Sequence, residues 1–129
     1  MDSGAIRRRL ALGVAVLAAS GLLALASPGS AQAAGSYCSG RKVRTLPFST
    51  GSVQVFKRDG YVCAVTFPKN QGSRKQMSVS VQARGGRPVV DKGNFSHHAG
   101  PVTVHVGHRC VLIKGSVGSG SVNSGWILC

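Results

Sequence analysis

The chain reads as all-β: a small antiparallel sandwich or barrel of about six to eight short strands, held by two disulfides. Three observations predict this. After Ser36 apolar and polar residues alternate with period two, clusters of Gly, Asn, Asp and Ser interrupt that alternation at short intervals, and all four cysteines lie in the alternating part. No stretch there repeats apolar residues at helical spacing.

The opening residues are of another kind. Arg7, Arg8 and Arg9 precede an uncharged, mostly apolar run over 10–26, and Ala31-Gln32-Ala33 forms a small-x-small cleavage site. This is the build of an export signal over residues 1–33, removed to leave one secreted β domain over 34–129. The apolar run contains Gly13, Ser20 and Gly21 and passes into Ser27-Pro28-Gly29, which argues against a membrane anchor of ~20 residues. No membrane-spanning segment is expected in the mature part.

Strands with period two are expected over 52–56, 61–67, 77–82 and 102–106, and shorter, more buried runs over 110–113 and 126–128. Turn chemistry marks 58–60, 69–73, 85–86, 91–94 and the Gly- and Ser-rich stretch 115–125. An even cysteine count in an exported chain implies disulfides, and Cys38, Cys63, Cys110 and Cys129 allow three pairings. Cys38 with Cys63 and Cys110 with Cys129 is favoured, because each joins sequence neighbours and ties a chain terminus to a nearby strand. Bridges of this kind add roughly 3 kcal/mol each to a domain too small to rely on its core alone.

Charge is the strongest compositional signal. The chain carries 16 Lys and Arg against 3 Asp and no Glu, and the part after residue 33 has a net charge of about +11 by the same count. The basic residues gather in turns, as Lys57-Arg58, Lys69 with Arg74-Lys75, and Arg84 with Arg87, whereas residues 115–129 carry none. Successive antiparallel strands bring alternate turns to the same end. Lys57, Arg58, Arg84 and Arg87 are therefore expected at one end, and Lys69, Arg74 and Lys75 with Lys92, His97 and His98 at the other.

Catalytic patterns are sparse. Beyond the export segment the only acidic side chains are Asp59 and Asp91, each with a Gly nearby in turn-like sequence, a poor basis for paired-carboxylate hydrolysis. There is no Gly-x-Ser-x-Gly elbow, and paired cysteines leave no thiol nucleophile. The glycines of 115–120 lack the Lys and Ser/Thr of a phosphate loop, so no cofactor is expected. His97, His98, His105 and His108 lie close in sequence but follow no recognised metal-ligand spacing. Two of them acting as base and acid, with a Lys or Arg steadying the phosphorane, would make a small basic ribonuclease, the enzyme alternative. No aromatic stacking platform or specific nucleic-acid signature accompanies it. A membrane-active protein would use the same charge with an apolar face, for which only the neutral segment around Trp126 is a candidate. A protease inhibitor also suits a small bridged domain, although no loop identifies a reactive site.

From Tyr37 onward the order of marks resembles the spore-associated protein A family, small exported proteins of filamentous actinomycetes. The resemblance lies in Cys38-Ser39-Gly40 followed by Val43, in Cys63-Ala64-Val65-Thr66, and most densely in Asp91-x-Gly93-x-Phe95 leading to Ala99-Gly100-Pro101-Val102-x-Val104. Cys110-Val111 and the C-terminal Cys129 complete it. The chain is more basic and less Tyr-rich than expected of that family, and His97-His98 stands where an aromatic is expected. The resemblance implies a disulfide-bonded protein of the spore or cell surface with no catalytic residues to carry over. Combined with the charge, it gives the expectation of a secreted, non-catalytic envelope protein whose Lys57, Arg58, Lys69, Arg74, Lys75, Arg84 and Arg87 hold anionic cell-wall or spore-surface polymers.

Overall fold

Strand β4 (Lys75–Ala83) shows how the alternation folds: Met77, Val79, Val81 and Ala83 are buried, while Gln76, Ser78, Ser80 and Gln82 between them reach toward solvent. In the computed structural model, which describes residues 37–129, seven more strands accompany it. They are β1 (Arg41–Phe48), β2 (Gly51–Arg58), β3 (Tyr61–Pro68), β5 (Val89–Phe95), β6 (Ala99–His105), β7 (Val111–Val117) and β8 (Gly120–Ile127). Hydrogen bonding orders them as β1-β2-β3-β6 in one sheet and β5-β4-β7-β8 in the other, and every pair is antiparallel. The all-β expectation holds. The export segment read over 1–33 lies outside the described residues, among which no helix is long and apolar enough to cross a membrane.

The sheets bury their inner faces against each other. Val53, Val55, Val62, Ala64, Val79, Val81, Val102, Val111 and Ile113 form the shared core with Met77. β-branched side chains suit this position, because their stiff χ1 fits the pleated surface at little entropic cost. Strand β3 departs from simple alternation, being buried on both faces. On its outward side Cys63 is bonded to Cys38, and the pair packs with Phe56 and Val65 as a second, smaller core. The other bridge joins Cys110 to Cys129, so both disulfides follow the favoured pairing.

The run expected to be buried over 126–128 instead closes the edge strand β8, with Trp126 exposed, and three other segments differ from the sequence expectation, each for an identifiable reason. β1 went unread because a register shift between Lys42 and Arg44 sets its inward residues, Val43, Leu46 and Phe48, at uneven spacing, and Pro47 interrupts an edge strand. Residues 91–94 read as a turn but lie within β5. There Gly93 makes room for the ring of Phe95, and Asp91 accepts a hydrogen bond from the backbone N–H of Gly100 at 2.8 Å, tying β5 to β6 of the facing sheet. The stretch 115–125 is not a long turn: it completes β7 and supplies most of β8, with a reversal at Gly118-Ser119. The register shift between Leu112 and Lys114 frees the N–H of Ile113, which donates instead to Ser124 Oγ at 2.9 Å.

Gly115 is required by the core. A Cβ there would lie 2.3 Å from Val53 Cγ2 and 2.7 Å from Thr66 Oγ1, and the Thr66 hydroxyl is buried without a hydrogen-bond partner. Gly115→Ala is expected to cost about 1–3 kcal/mol by overpacking, whereas Thr66→Val, which keeps the shape and removes the unpaired hydroxyl, should gain about 1 kcal/mol. Urea unfolding of the oxidised protein measures both; equal stability of wild type and Gly115→Ala would contradict the packing. Asp91→Ala should cost about 1–3 kcal/mol by leaving the Gly100 N–H unpaired, with faster exchange of that amide proton as the local readout.

Candidate functional site

The Asp59-Gly60 turn between β2 and β3 builds one end of the sandwich. Asp59 and Gly60 have φ of 51° and 81°, the left-handed pair that a two-residue hairpin requires and that Asp-Gly supplies at low cost. The turn holds Lys57 and Arg58 at the strand end, and the register sets Arg41 of β1 directly across from Lys57. Gly40, Arg41, Lys57, Arg58 and Asp59 line an open cleft of about 510 Å3. Arg58 and Asp59 form an exposed ion pair at 3.6 Å.

The loop between β6 and β7 joins this turn to the next basic turn. Val106 and Gly107 donate their N–H groups to the Gly60 carbonyl, at 2.8 and 3.0 Å, and the Cys110 carbonyl accepts from the N–H of Arg84 at 2.9 Å. Lys57, Arg58, Arg84 and Arg87 therefore share one end, on turns from opposite sheets. The same end carries Arg41 and Arg109, which sequence reasoning missed. Arg41 was hidden because β1 was unread; Arg109 belongs to a loop whose position only the crossover of β6 into the first sheet determines. Arg109 is partly a structural group, donating through Nε to the Val106 carbonyl and through a terminal nitrogen to that of His105, both at 3.0 Å. The Arg84 guanidinium lies 5.5 Å from the centre of the Trp126 ring, a cation–π contact that leaves its charge available to an anion.

At the opposite end the basic side chains serve the loop. Lys75 Nζ donates to the carbonyls of Asn70 and, at 3.3 Å, Ser73, and Arg74 donates to the Asn94 carbonyl at 3.2 Å. Lys69 is exposed there. Lys92 does not join them: it stands on β5 opposite Ser78, on the outward face of the second sheet.

The histidines are divided as well. His97 Nδ1 meets Gln71 Oε1 at 3.4 Å, and His98 Nδ1 meets the Gly100 carbonyl at 3.0 Å while its ring packs 4.2 Å from that of Tyr37. His105 packs edge-on against Tyr61 at 4.9 Å, at the far end of β6. A strand of this length separates His98 from His105 by about 20 Å, too far for base and acid at one phosphate. No group of three or more His, Cys, Asp or Glu gathers as a metal site among the described residues.

Compared with known proteins, the chain matches no family model, no curated protein and no solved structure. Its two basic ends nevertheless differ in a testable way. Lys75→Ala or Arg74→Ala should loosen the 69–74 loop, seen as faster hydrogen exchange of the Gly72 amide, which bonds the Ser96 carbonyl. Arg58→Ala and Arg87→Ala should leave that amide unchanged; equal effects from both sets would erase the distinction.

Proposed function

We propose that the protein is a secreted, non-catalytic component of the cell envelope or spore surface that holds anionic polymers at the end of the sandwich bearing Lys57, Arg58, Arg84 and Arg87. One observation carries the reading: strands from both sheets deliver cations to one end, and the described part of the chain has few carboxylates to offset them. Asp91 is engaged by the Gly100 N–H, which leaves Asp59 as the remaining exposed acidic side chain. Two closed disulfides are consistent with an extracellular protein, and the resemblance to the spore-associated family supplies the envelope setting.

Attraction of this kind is non-directional and sensitive to salt, because a polyanion releases condensed counterions when cations replace them. It asks for density of charge, not for a shaped pocket. Lys69, Arg74 and Lys75 give the other end a weaker version of the same field, with which one molecule can bridge two polymer chains.

The test is partition of the oxidised protein onto purified spores and vegetative walls across a salt series. Retention at physiological salt is expected, falling steeply as salt rises. Charge reversal at Arg84 and Arg87 should weaken retention at moderate salt and flatten the slope of log affinity against log salt by about 1.5. Unchanged retention in the double reversal would remove this end as the binding surface, and release from spores and walls alike at low salt would remove envelope binding altogether.

A further inference from the structure

Beside the basic end, on the outward face of the first sheet, Tyr37, Ser39, Arg58, Asp59, Tyr61 and Thr103 line a cleft of about 400 Å3, with Cys63 at its base. We infer that this cleft binds a short run of pyranose units of a glycan, and so deepens the polymer-holding reading by naming a sugar part of the polymer. The size falls within the ~300–1,000 Å3 of small-molecule sites.

Three features point to a sugar. Tyr37 and Tyr61 are 38% and 48% exposed, so that both offer ring surface within the one cleft. Each is held by a ring beside it. Tyr37 packs against His98 at 4.2 Å and Phe67 at 6.1 Å, and Tyr61 against His105 at 4.9 Å, so both platforms stand in place before a ligand arrives. The C–H face of a pyranose packs on such a ring while its hydroxyls stay free to hydrogen-bond.

The third feature is Asp59. The hairpin accounts for an Asp at this position, and the turn leaves its side chain 86% exposed beside that of Arg58. Adjacent sugar hydroxyls suit this pair: the carboxylate accepts from two hydroxyls, and the guanidinium donates to a third oxygen. Ser39 and Thr103 add hydroxyls that donate or accept. A lipid chain would leave these polar groups unpaired, and a bare polyphosphate would meet the Asp59 charge.

The experiment titrates the oxidised protein with chitotetraose and, separately, cellotetraose at 0.5 M NaCl, where attraction between exposed charges is screened within a few ångströms. Binding of at least one is expected, with NMR shifts concentrated at Tyr37, Tyr61 and Thr103. Tyr61→Ala should weaken it tenfold or more, and Tyr61→Phe should retain it, because the ring remains. Asp59→Asn keeps a side chain suited to the left-handed turn and should weaken binding severalfold. An unchanged spectrum away from the cleft verifies the fold of each variant. No binding of either oligosaccharide, binding indifferent to Tyr61→Ala, or tetrauridylate binding at the same tyrosines in their place would overturn the assignment. Sugar-free poly(glycerol phosphate) at low salt separates the two readings. Its failure to bind strikes the polyanion proposal, whereas loss of oligosaccharide binding alone strikes this one.

Discussion

The packing of two valine-rich sheet faces is the constraint on which the rest of the molecule depends. Val53, Val55, Val62, Val79, Val81, Val102 and Val111 meet Met77 and Ile113 with no large aromatic among the fully buried side chains. A close-packed core rich in stiff, β-branched residues leaves little room for adjustment. Gly115 faces Val53 and Thr66 because nothing larger fits. The Thr66 hydroxyl, buried and unpaired, is a cost borne at the centre of this interface.

Charge gathers at the turns, although Lys92 and Lys114 stand among the serines on the outward face of the second sheet. Ser78, Ser80, Ser116 and Ser121 occupy the outward side of the second sheet, and Ser78 and Ser116 bond each other across the β4–β7 ladder at 2.6 Å. Most of the cations collect where strands end, and the short loop from β6 to β7 gathers two such ends by bonding both Gly60 and Arg84. The same physics divides their roles. At one end Lys75 and Arg74 spend their donors on loop carbonyls; at the other Lys57, Arg58 and Arg87 face water.

The Cys38–Cys63 bridge links the core to the tyrosine cleft. It fastens the segment before β1 onto the outward face of β3, turning that face into a second core with Phe56 and Val65. Tyr37 follows from its neighbour: once Cys38 is fixed, its ring is placed against Phe67 and His98. A covalent staple that stabilises a small domain thus also positions one wall of a surface cleft.

Much was legible in the sequence because local rules govern it. Period-two alternation revealed β2, β3, β4 and β6, Arg58-Asp59-Gly60 marked a turn, and neighbouring cysteines suggested their own pairing. Charge grouped at turns placed Lys57, Arg58, Arg84 and Arg87 together, since an antiparallel chain returns alternate turns to one end whichever sheet they belong to. What escaped depends on partners distant in sequence. β1 carries a bulge whose spacing makes sense only against β2, β5 is a run of turn-forming residues held straight by pairing with β4 and by the Asp91 bond to Gly100, and β8 is a Gly- and Ser-rich edge stabilised by β7. Arg41, Arg109 and the Tyr37–Tyr61 cleft belong to the same class. Residue type and local spacing determined the fold class, favoured the disulfide pairing and brought the cations of alternate turns to common ends. Tertiary structure alone decided which strands share a sheet and which side chains share a surface, because those outcomes depend on long-range burial that no local pattern encodes.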